Sequence, residues 1–254
     1  MLRLGLVISV SSAILFGQSN LEKGLAAYEL KAISSIEDRA NPEFLNQAIH
    51  YYKLALLEPN DEADAVLGLL KSYFYKGKYA VDTEIEKKAV FNKAKQLASI
   101  YINKYPSRVD ILYWYLTNLG SWAEVYGILA SAREGVADQI KIQAERIIEL
   151  DASYEDGGGY FILGAVHYKS PYIPFILSWP NNDDAIKWLE KSTETGEAKP
   201  FQVVYLAQAL YKDGQRTRAL NLLKKVAKTT PSESDPLSDW EQVKKAKILL
   251  AEYD

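Results

Sequence analysis

The sequence has no cysteine among its 254 residues, and it has only two histidines and one methionine. The lack of cysteine excludes disulfides, thiolate metal sites and cysteine nucleophiles, and it leaves no thiol for a lipid anchor. His50 and His167 each stand in a predicted helix, without further ligands or triad partners at suitable spacing. We therefore expect no metal, no cofactor and no enzymatic activity, and we assign both histidines to packing or to the surface.

Charge of one sign is not in excess either, because 30 basic residues face 33 acidic ones and the net charge is -3. The charges are interspersed, and the sequence has no basic stripe suited to a phosphate backbone. Nucleic acid is therefore not an expected partner. What the sequence has in abundance is aromatic side chains, with 18 Tyr, 7 Phe and 5 Trp.

Long apolar runs are lacking as well, with one exception near the N-terminus. Arg3 precedes an uncharged apolar stretch over residues 4–16, and small or polar residues follow at positions 17–20. This order is typical of a signal peptide, so residues 1–18 are interpreted as an export signal. The alternative is that the stretch forms a buried first helix of the fold. No other segment is long and apolar enough to span a membrane.

The rest of the sequence repeats a pattern of two helices joined by a turn, and its clearest copy covers residues 200–231. Small residues are needed where two helices touch, large ones fill the space between them, and proline stops the second helix. The positions that fit this pattern are Leu206, Ala207, Leu210, Gly214, Ala219, Leu223, Val226 and Pro231. The unit resembles the tetratricopeptide (TPR) repeat of about 34 residues.

The preceding unit begins at Gly157 and carries Leu163-Gly164 in its first helix. Its second helix starts near Ala185, after an insert of about nine residues relative to the repeat template. Three prolines within residues 170–180 exclude a continuous helix in this insert. The run over residues 156–159 lacks the ending of a phosphate-binding loop, and we interpret it as a flexible turn between repeats.

Two more units and an N-terminal helix pair lie upstream. The first unit carries an insertion around residues 81–88, and the second, from Val109, is weaker. The first helix of the N-terminal pair is predicted over residues 21–36. The positions behind these predictions are Leu69, Tyr73, Gly77, Ala94, Ala98, Tyr101 and Pro106, then Ile140, Ala144 and Ile147, and in the pair Ala48, Tyr52, Ala55 and Pro59.

At the C-terminal end, Ser238 is followed three residues later by Glu241, the pattern of a capping box at a helix start. Trp240, Val243 and Leu250 recur at roughly helical spacing, which indicates a solvent-facing cap on the last repeat. No stretch shows sustained alternation, so no sheet is expected. The sequence predicts an all-α fold, in which residues 19–254 form a single α-solenoid domain of TPR-like helical hairpins with insertions and a C-terminal capping helix.

The middle of the chain resembles a more specific family, the TatT-type proteins, which are TPR components associated with tripartite (TRAP) transporters. The similar runs are Leu112-Tyr113-Trp114-Tyr115 with Asn118-Leu119-Gly120 and Trp122, and then Asp156-Gly157-Gly158-Gly159-Tyr160 with Leu163-Gly164 and Asp184-Ala185-Ile186. The resemblance covers residues 60–231.

This resemblance implies a periplasmic, water-soluble repeat protein that contacts an extracytoplasmic substrate-binding protein. It also implies a cavity or pore for a small hydrophobic ligand, and it is compatible with a homo-oligomer. TatT itself is anchored to lipid through a cysteine, which this chain lacks. The resemblance therefore implies a form that is free in the periplasm or held there by a partner.

The aromatic residues of the first helices and of the insert form the candidate binding site. The repeat register places those of the helices on the concave wall of the superhelix, and such a wall suits an apolar ligand or a helix. The expected ligand-binding residues are Phe74, Tyr113, Trp114, Phe161, Tyr168, Trp179, Phe201 and Tyr211. The alternative is a closed groove, with the insert folded into it and Trp179 or Phe175 filling the space.

Two functions are compatible with these predictions. The first is a binding component associated with a TRAP-type transporter, which binds a partner protein and a small hydrophobic ligand. The second is a general scaffold, whose convex surface or helix ends dock envelope proteins during assembly.

Overall fold

The computed structural model describes residues 17–253, and this part of the chain forms twelve helices without a strand. The helices are α1 (Asn20–Glu29), α2 (Pro42–Ala55), α3 (Glu62–Tyr79), α4 (Glu84–Tyr101), α5 (Val109–Tyr126), α6 (Ile128–Arg133), α7 (Val136–Leu150), α8 (Tyr154–Lys169), α9 (Asn182–Thr193), α10 (Pro200–Lys212), α11 (Arg216–Val226) and α12 (Pro236–Tyr253). The expected signal peptide lies outside the described residues, except for its last two positions.

Several helices begin where the sequence supplies a capping side chain. The hydroxyls of Ser19 and Thr83 each accept a hydrogen bond from the backbone N–H three residues further on. The carboxylates of Glu22 and Glu86 in turn accept one from the N–H of the cap residue, which completes two capping boxes. The side chain of Asn41 caps α2 in a similar way. The starts of these helices are therefore set locally by the sequence.

The helices pack in pairs along the chain: α1 with α2, α3 with α4, α5 with α7, α8 with α9, and α10 with α11. The short helix α6 lies between α5 and α7 in the chain. The first helix of each pair also contacts the first helix of the next, and α10 contacts α12 in the same way. Stacked pairs that contact their neighbours through their first helices form an α-solenoid. The predicted all-α solenoid of helical hairpins is confirmed.

The core contains the residues that the repeat pattern placed there. Leu163, Leu206 and Ala219 are all buried, with exposed fractions of 5% or less. Glycine allows close approach between helices, because a Cβ on Gly68 would overlap the ring of Tyr52 on the neighbouring helix. The small and large residues of the repeat pattern therefore correspond to contacts between helices in the structure.

The last helix contacts the first repeats as well as the last one. Leu237 belongs to the same buried cluster as Tyr28 of α1 and Leu70 of α3. The Nζ of Lys244 lies 2.7 Å from Oδ1 of Asp38, in the segment between α1 and α2. The two ends of the solenoid therefore meet, and the first helices enclose a central space.

The prediction that the first helix runs to residue 36 is wrong. The helix ends at Glu29, and residues 30–40 form consecutive turns. Ser34 and Glu37 have φ angles of 58° and 53°, in the left-handed region that a right-handed helix cannot contain. The chain therefore reverses direction before α2 by a series of turns.

The predicted capping box at Ser238 is also wrong. The last helix begins earlier, at Pro236, a residue whose fixed φ suits the first turn. Asp235 immediately precedes this helix, and the backbone N–H of Ser238 acts electrostatically on its carboxyl group. Ser238 therefore lies inside the helix and is buried, and Glu241 is free to bind α3.

The glycine run that was expected to form a flexible turn does so only in part. Residues 155–157 have left-handed backbone, with φ angles of 50°, 54° and 84°. These residues kink α8 near its start. Gly158 and Gly159 lie in the regular part of α8 that follows, where a Cβ would meet Tyr113 and Ile147 respectively. One glycine of the run therefore serves a turn, and two serve close packing.

The two insertions take different forms. The one expected at residues 81–88 lengthens helices, since α3 and α4 have 18 residues each and only residues 80–83 separate them. The insert after α8 is non-helical, as its prolines require. Ile173 and Leu177 exchange two backbone hydrogen bonds of 2.8 Å across it, and Phe175 stands at its tip with a φ of 66°.

Candidate functional site

A cavity of about 1260 Å³ occupies the space enclosed by the inner helices. Its wall comes mainly from α1, α3, α5, α8 and α10, and from the start of α12. The aromatic residues that line it are Tyr28, Phe74, Tyr75, Tyr79, Tyr113, Trp114, Phe161, Phe201 and Tyr205. A cavity of this size with an aromatic wall is the candidate binding site.

Five of the eight residues expected at the binding site line this cavity. They are Phe74, Tyr113, Trp114, Phe161 and Phe201. Tyr113 and Trp114 are buried in the wall, and the three phenylalanines are half-buried. The repeat register therefore identified inner-wall positions on α3, α5, α8 and α10.

The other three expected residues lie outside the cavity. Tyr211 stacks on Tyr253 of α12, with ring centroids 3.5 Å apart. Tyr168 packs near the C-terminal end of α8, where Lys212 lies over its ring. Trp179 donates a hydrogen bond of 2.7 Å to Asp138 of α7. These three rings contact neighbouring helices or connect the insert to α7, and they are not among the residues that line the cavity.

The insert does not fill the cavity, so the alternative of a plugged groove is wrong too. Phe175 is fully exposed, and Tyr172 and Ile176 are 62% and 70% exposed. Of the insert, only Ser170, Pro171 and Leu177 reach the cavity wall. Trp179 cannot act as a plug because it is bound to α7 on the outside.

The rings that face the cavity form two groups. Between α3 and α5, Trp114 lies edge-on to Phe74, with ring centroids 5.5 Å apart. Between α8 and α10, Phe161 packs against Phe201 at 4.6 Å and against Tyr205 at 5.2 Å. Such groups offer apolar surface to a ligand, and a tyrosine hydroxyl can orient a polar group.

The cavity wall also carries charged groups, which were not expected from the sequence. The lysines that line it are Lys31, Lys71, Lys78, Lys169, Lys199 and Lys225. Three of them form ion pairs with glutamates that also line the wall, namely Lys78 with Glu241 at 2.9 Å, Lys169 with Glu124 at 3.5 Å and Lys199 with Glu155 at 2.9 Å. The site is therefore amphipathic rather than purely aromatic.

Lys31 is the most deeply placed of these lysines, with an exposed fraction of 7%. It lies just beyond the end of α1, and its Nζ is 4.5 Å from the ring centroid of Tyr28 and 5.2 Å from that of Tyr75. Burial lowers the pKa of Lys31, and the positive charge of Lys71 lowers it further. The carboxylate of Asp235 raises this pKa, but by less than burial lowers it. Cation–π contacts with the two rings offset part of the cost of this burial.

Glu241 connects α12 to α3 at the cavity wall. Its carboxylate accepts a hydrogen bond of 3.0 Å from the hydroxyl of Tyr79 and lies 2.9 Å from Nζ of Lys78. Burial and the carboxylate of Glu241 raise the pKa of Tyr79 well above its usual value. Burial would lower the pKa of Lys78, but the carboxylates of Glu241 and Glu124 outweigh it and raise that pKa. Both groups hold their protons at neutral pH.

The two histidines occupy the packing and surface positions expected for them. His50 is exposed on α2, whereas His167 is buried beneath Trp179, with ring centroids 4.8 Å apart. Within residues 17–253, no group of three or more His, Cys, Asp or Glu side chains is placed to hold a metal ion. None of the helices described for the chain has the length and apolarity needed to cross a bilayer.

No family model matches the chain, and no curated protein matches it. Among solved structures, the crystal structure of a thermophilic TPR protein from Thermus thermophilus matches with a TM-score of 0.60 and 14% sequence identity. The match covers 90% of this chain and 97% of that one. At this identity the likeness concerns the fold. The chain thus has the fold of tetratricopeptide-repeat proteins.

Proposed function

We propose that the protein is a non-enzymatic binding component that holds a small hydrophobic ligand in its central cavity and binds a partner protein on its outer surface. The observation that carries this proposal is the cavity of about 1260 Å³ with two groups of aromatic rings in its wall. Ligand sites in proteins are concave and mostly apolar, with a few polar groups that fix orientation. The cavity meets this description.

The insert supports the second half of the proposal. Tyr172, Phe175 and Ile176 stand together at its outer side and are all more than half exposed. Contiguous exposed apolar side chains mark surfaces that bind other molecules. The resemblance to TatT-type proteins suggests the partner, an extracytoplasmic substrate-binding protein of a TRAP-type transporter. Cleavage of residues 1–18 on export would place the mature chain in the same compartment, the periplasm.

Ligand binding is tested with a neutral apolar probe. Isothermal titration calorimetry with decan-1-ol should detect binding to the wild-type protein, and native mass spectrometry should detect any apolar molecule retained on purification. Phe161→Ala and Phe201→Ala should each weaken binding about tenfold, or about 1.4 kcal/mol, because each removes a ring from the wall. Phe175→Ala is the matched control, since its ring is fully exposed outside the cavity. Equal losses in all three variants, or no binding by the wild type, would contradict the proposal.

Partner binding is tested by placing a photoreactive phenylalanine analogue at position 175 and irradiating cells that produce the protein. We expect a covalent product with a substrate-binding protein, and none from the same analogue at Ile142, which is 60% exposed on α7. Products with several unrelated envelope proteins would instead favour the general scaffold. Exposed apolar residues outside the cavity, such as Leu57 in the turn after α2 and Ile85 on α4, are the observation that favours this second function.

A further inference from the structure

Two lysines stand next to a row of aromatic rings on the α1 and α3 side of the cavity. The row consists of Tyr28, Tyr75 and Trp114, whose ring centroids are 5.7 Å and 6.1 Å apart in turn. The Nζ of Lys31 lies 4.5 Å from the centroid of Tyr28, and the Nζ of Lys71 lies 5.5 Å from that of Trp114. Both ammonium groups are therefore held beside the same aromatic surface.

Neither of these ammonium groups has a carboxylate partner. Over residues 17–253, no carboxylate oxygen lies within 4 Å of Lys31 or Lys71, whereas Lys78 and Lys199 in the same wall are paired at 2.9 Å. Lys31 is only 7% exposed. The carboxyl groups of Asp235 and Glu29 act on Lys31 only from beyond 4 Å, so its buried ammonium lacks the close ion pair that an incoming anion would supply. The side chains of this wall therefore favour a negative charge at this end of the cavity.

We propose that Lys31 and Lys71 bind the carboxylate of an amphipathic ligand, a fatty or aromatic monocarboxylic acid. The inference rests on the proposed ligand-binding function of the cavity and adds the charge of the ligand. A single negative charge suits the site better than a phosphate dianion, because Glu29 and Asp235 line the same region and act electrostatically on Lys31. These two carboxyl groups would repel a second negative charge.

The apolar body of such a ligand has a surface directly beside the ammonium groups. Phe74 and Tyr113 flank Trp114, with ring centroids 5.5 Å and 5.7 Å from it. Lys71 and Phe74 are three positions apart on α3, so their side chains lie on the same face of the helix. A ligand with its carboxylate on Lys71 would therefore place its first carbons against these rings.

The test compares two probes with the same chain length, decanoate and decan-1-ol, by isothermal titration calorimetry below the micelle concentration of decanoate. We expect decanoate to bind at least about tenfold more tightly than decan-1-ol. Lys31→Gln and Lys71→Gln should each weaken decanoate binding about tenfold and leave decan-1-ol binding within about twofold, because the charge contacts only the carboxylate. Lys71→Arg, which keeps the charge, should retain decanoate binding.

The control is Lys187→Gln, because Lys187 also lies over a ring, that of Trp188 at 4.5 Å, but on the outer helix α9. It should leave both affinities unchanged. If decan-1-ol binds as tightly as decanoate, ligand binding by the cavity stands and the carboxylate site is overturned. If neither probe binds, both proposals fail. Circular dichroism checks that Lys31→Gln is folded. Because Lys71 is only half-buried, Lys71→Gln supplies a second test. If this variant loses decanoate and decan-1-ol binding equally, the proposal is contradicted.

Discussion

The carboxylate of Glu241 lies 2.9 Å from Nζ of Lys78, although α3 and α12 stand near opposite ends of the chain. An open solenoid has two free ends, and each repeat contacts only its neighbours. In this protein the last helix also contacts an early one, and the hydroxyl of Tyr79 adds a hydrogen bond of 3.0 Å to the same carboxylate. Because the ends are joined, residues of α12 line the same cavity as residues of α1 and α3.

Replacing Glu241 with glutamine should destabilise the protein by about 1–2 kcal/mol. The substitution removes the negative charge opposite Lys78, whose side chain is 26% exposed, and weakens the acceptor for Tyr79. Urea unfolding followed by circular dichroism measures the change. Since the ion pair joins the two ends, amide hydrogen exchange should also become faster in α1 and α12 together, and stay unchanged in α9.

Glu145→Gln is the control for this prediction. Glu145 pairs with Lys141 at 3.2 Å within one helix, and both side chains are more than a third exposed. Such a surface pair contributes about 0.3–0.5 kcal/mol. If both variants lose the same stability, or if faster exchange is confined to α12, the ion pair of Glu241 does not join the ends.

Gly68→Ala should destabilise the protein by about 1–3 kcal/mol, the usual cost of overpacking a core. A Cβ at position 68 would overlap the ring of Tyr52, which is 4% exposed and also packs closely against Gly24. In a Tyr52→Ala background, the same substitution should cost nothing or stabilise the helix slightly. A thermal or urea unfolding series of the four proteins completes the cycle.

Gly120→Ala is the matched control, because Gly120 also lies inside a helix but a Cβ there would meet no atom within 4 Å. Alanine has the higher helix propensity, so this variant should be more stable by about 0.5–1 kcal/mol. Opposite signs for the two glycines would show that the contact with Tyr52 determines the effect. A loss of stability at Gly120 would show that helical propensity does not control this position.

The fold could be predicted from the sequence because repeat positions depend on contacts between neighbouring helices. Leu206, Ala207 and Ala219 follow a pattern that any stacked hairpin must satisfy, and all three are buried. The joining of the ends could not be predicted in this way. It depends on the accumulated rotation of all the repeats, which brings Glu241 to α3, and no local pattern encodes that sum.

The repeat register, extended along each helix by its periodicity, predicted part of the candidate binding site. Phe74 was found on the inner wall of α3. Lys71 lies three residues before it and Lys78 four residues after it, so both are on the same face of the helix. These two lysines could therefore have been found. Lys31 could not, because it lies beyond the end of α1 in a segment that was wrongly expected to be helical.

Acidification from pH 7 to pH 5 should destabilise the protein in part through His167. Burial lowers the pKa of His167 below its usual value, and the positive charge of Lys141 lowers it further. The carboxylate of Asp184 raises this pKa, but it does not outweigh burial. The unfolded chain, with a histidine pKa of about 6.5, therefore binds more protons than the folded one as the pH falls through this value. A single group of this kind contributes at most about 1.4 kcal/mol per pH unit.

His167→Gln should reduce the pH dependence of the unfolding free energy between pH 7 and pH 5, since glutamine does not titrate. The variant loses the imidazole under Trp179 and the contact of 3.5 Å in which the N–H of Asn181 donates to Nδ1. It should therefore be less stable than the wild type at pH 7, yet lose less on acidification. His50→Gln, at an exposed site on α2, is the comparison for replacing a histidine outside the core. The comparison concerns how the unfolding free energy changes with pH and not its absolute value, so a packing defect alone cannot produce the expected result. An unchanged slope in His167→Gln would assign the pH dependence to the carboxylates instead.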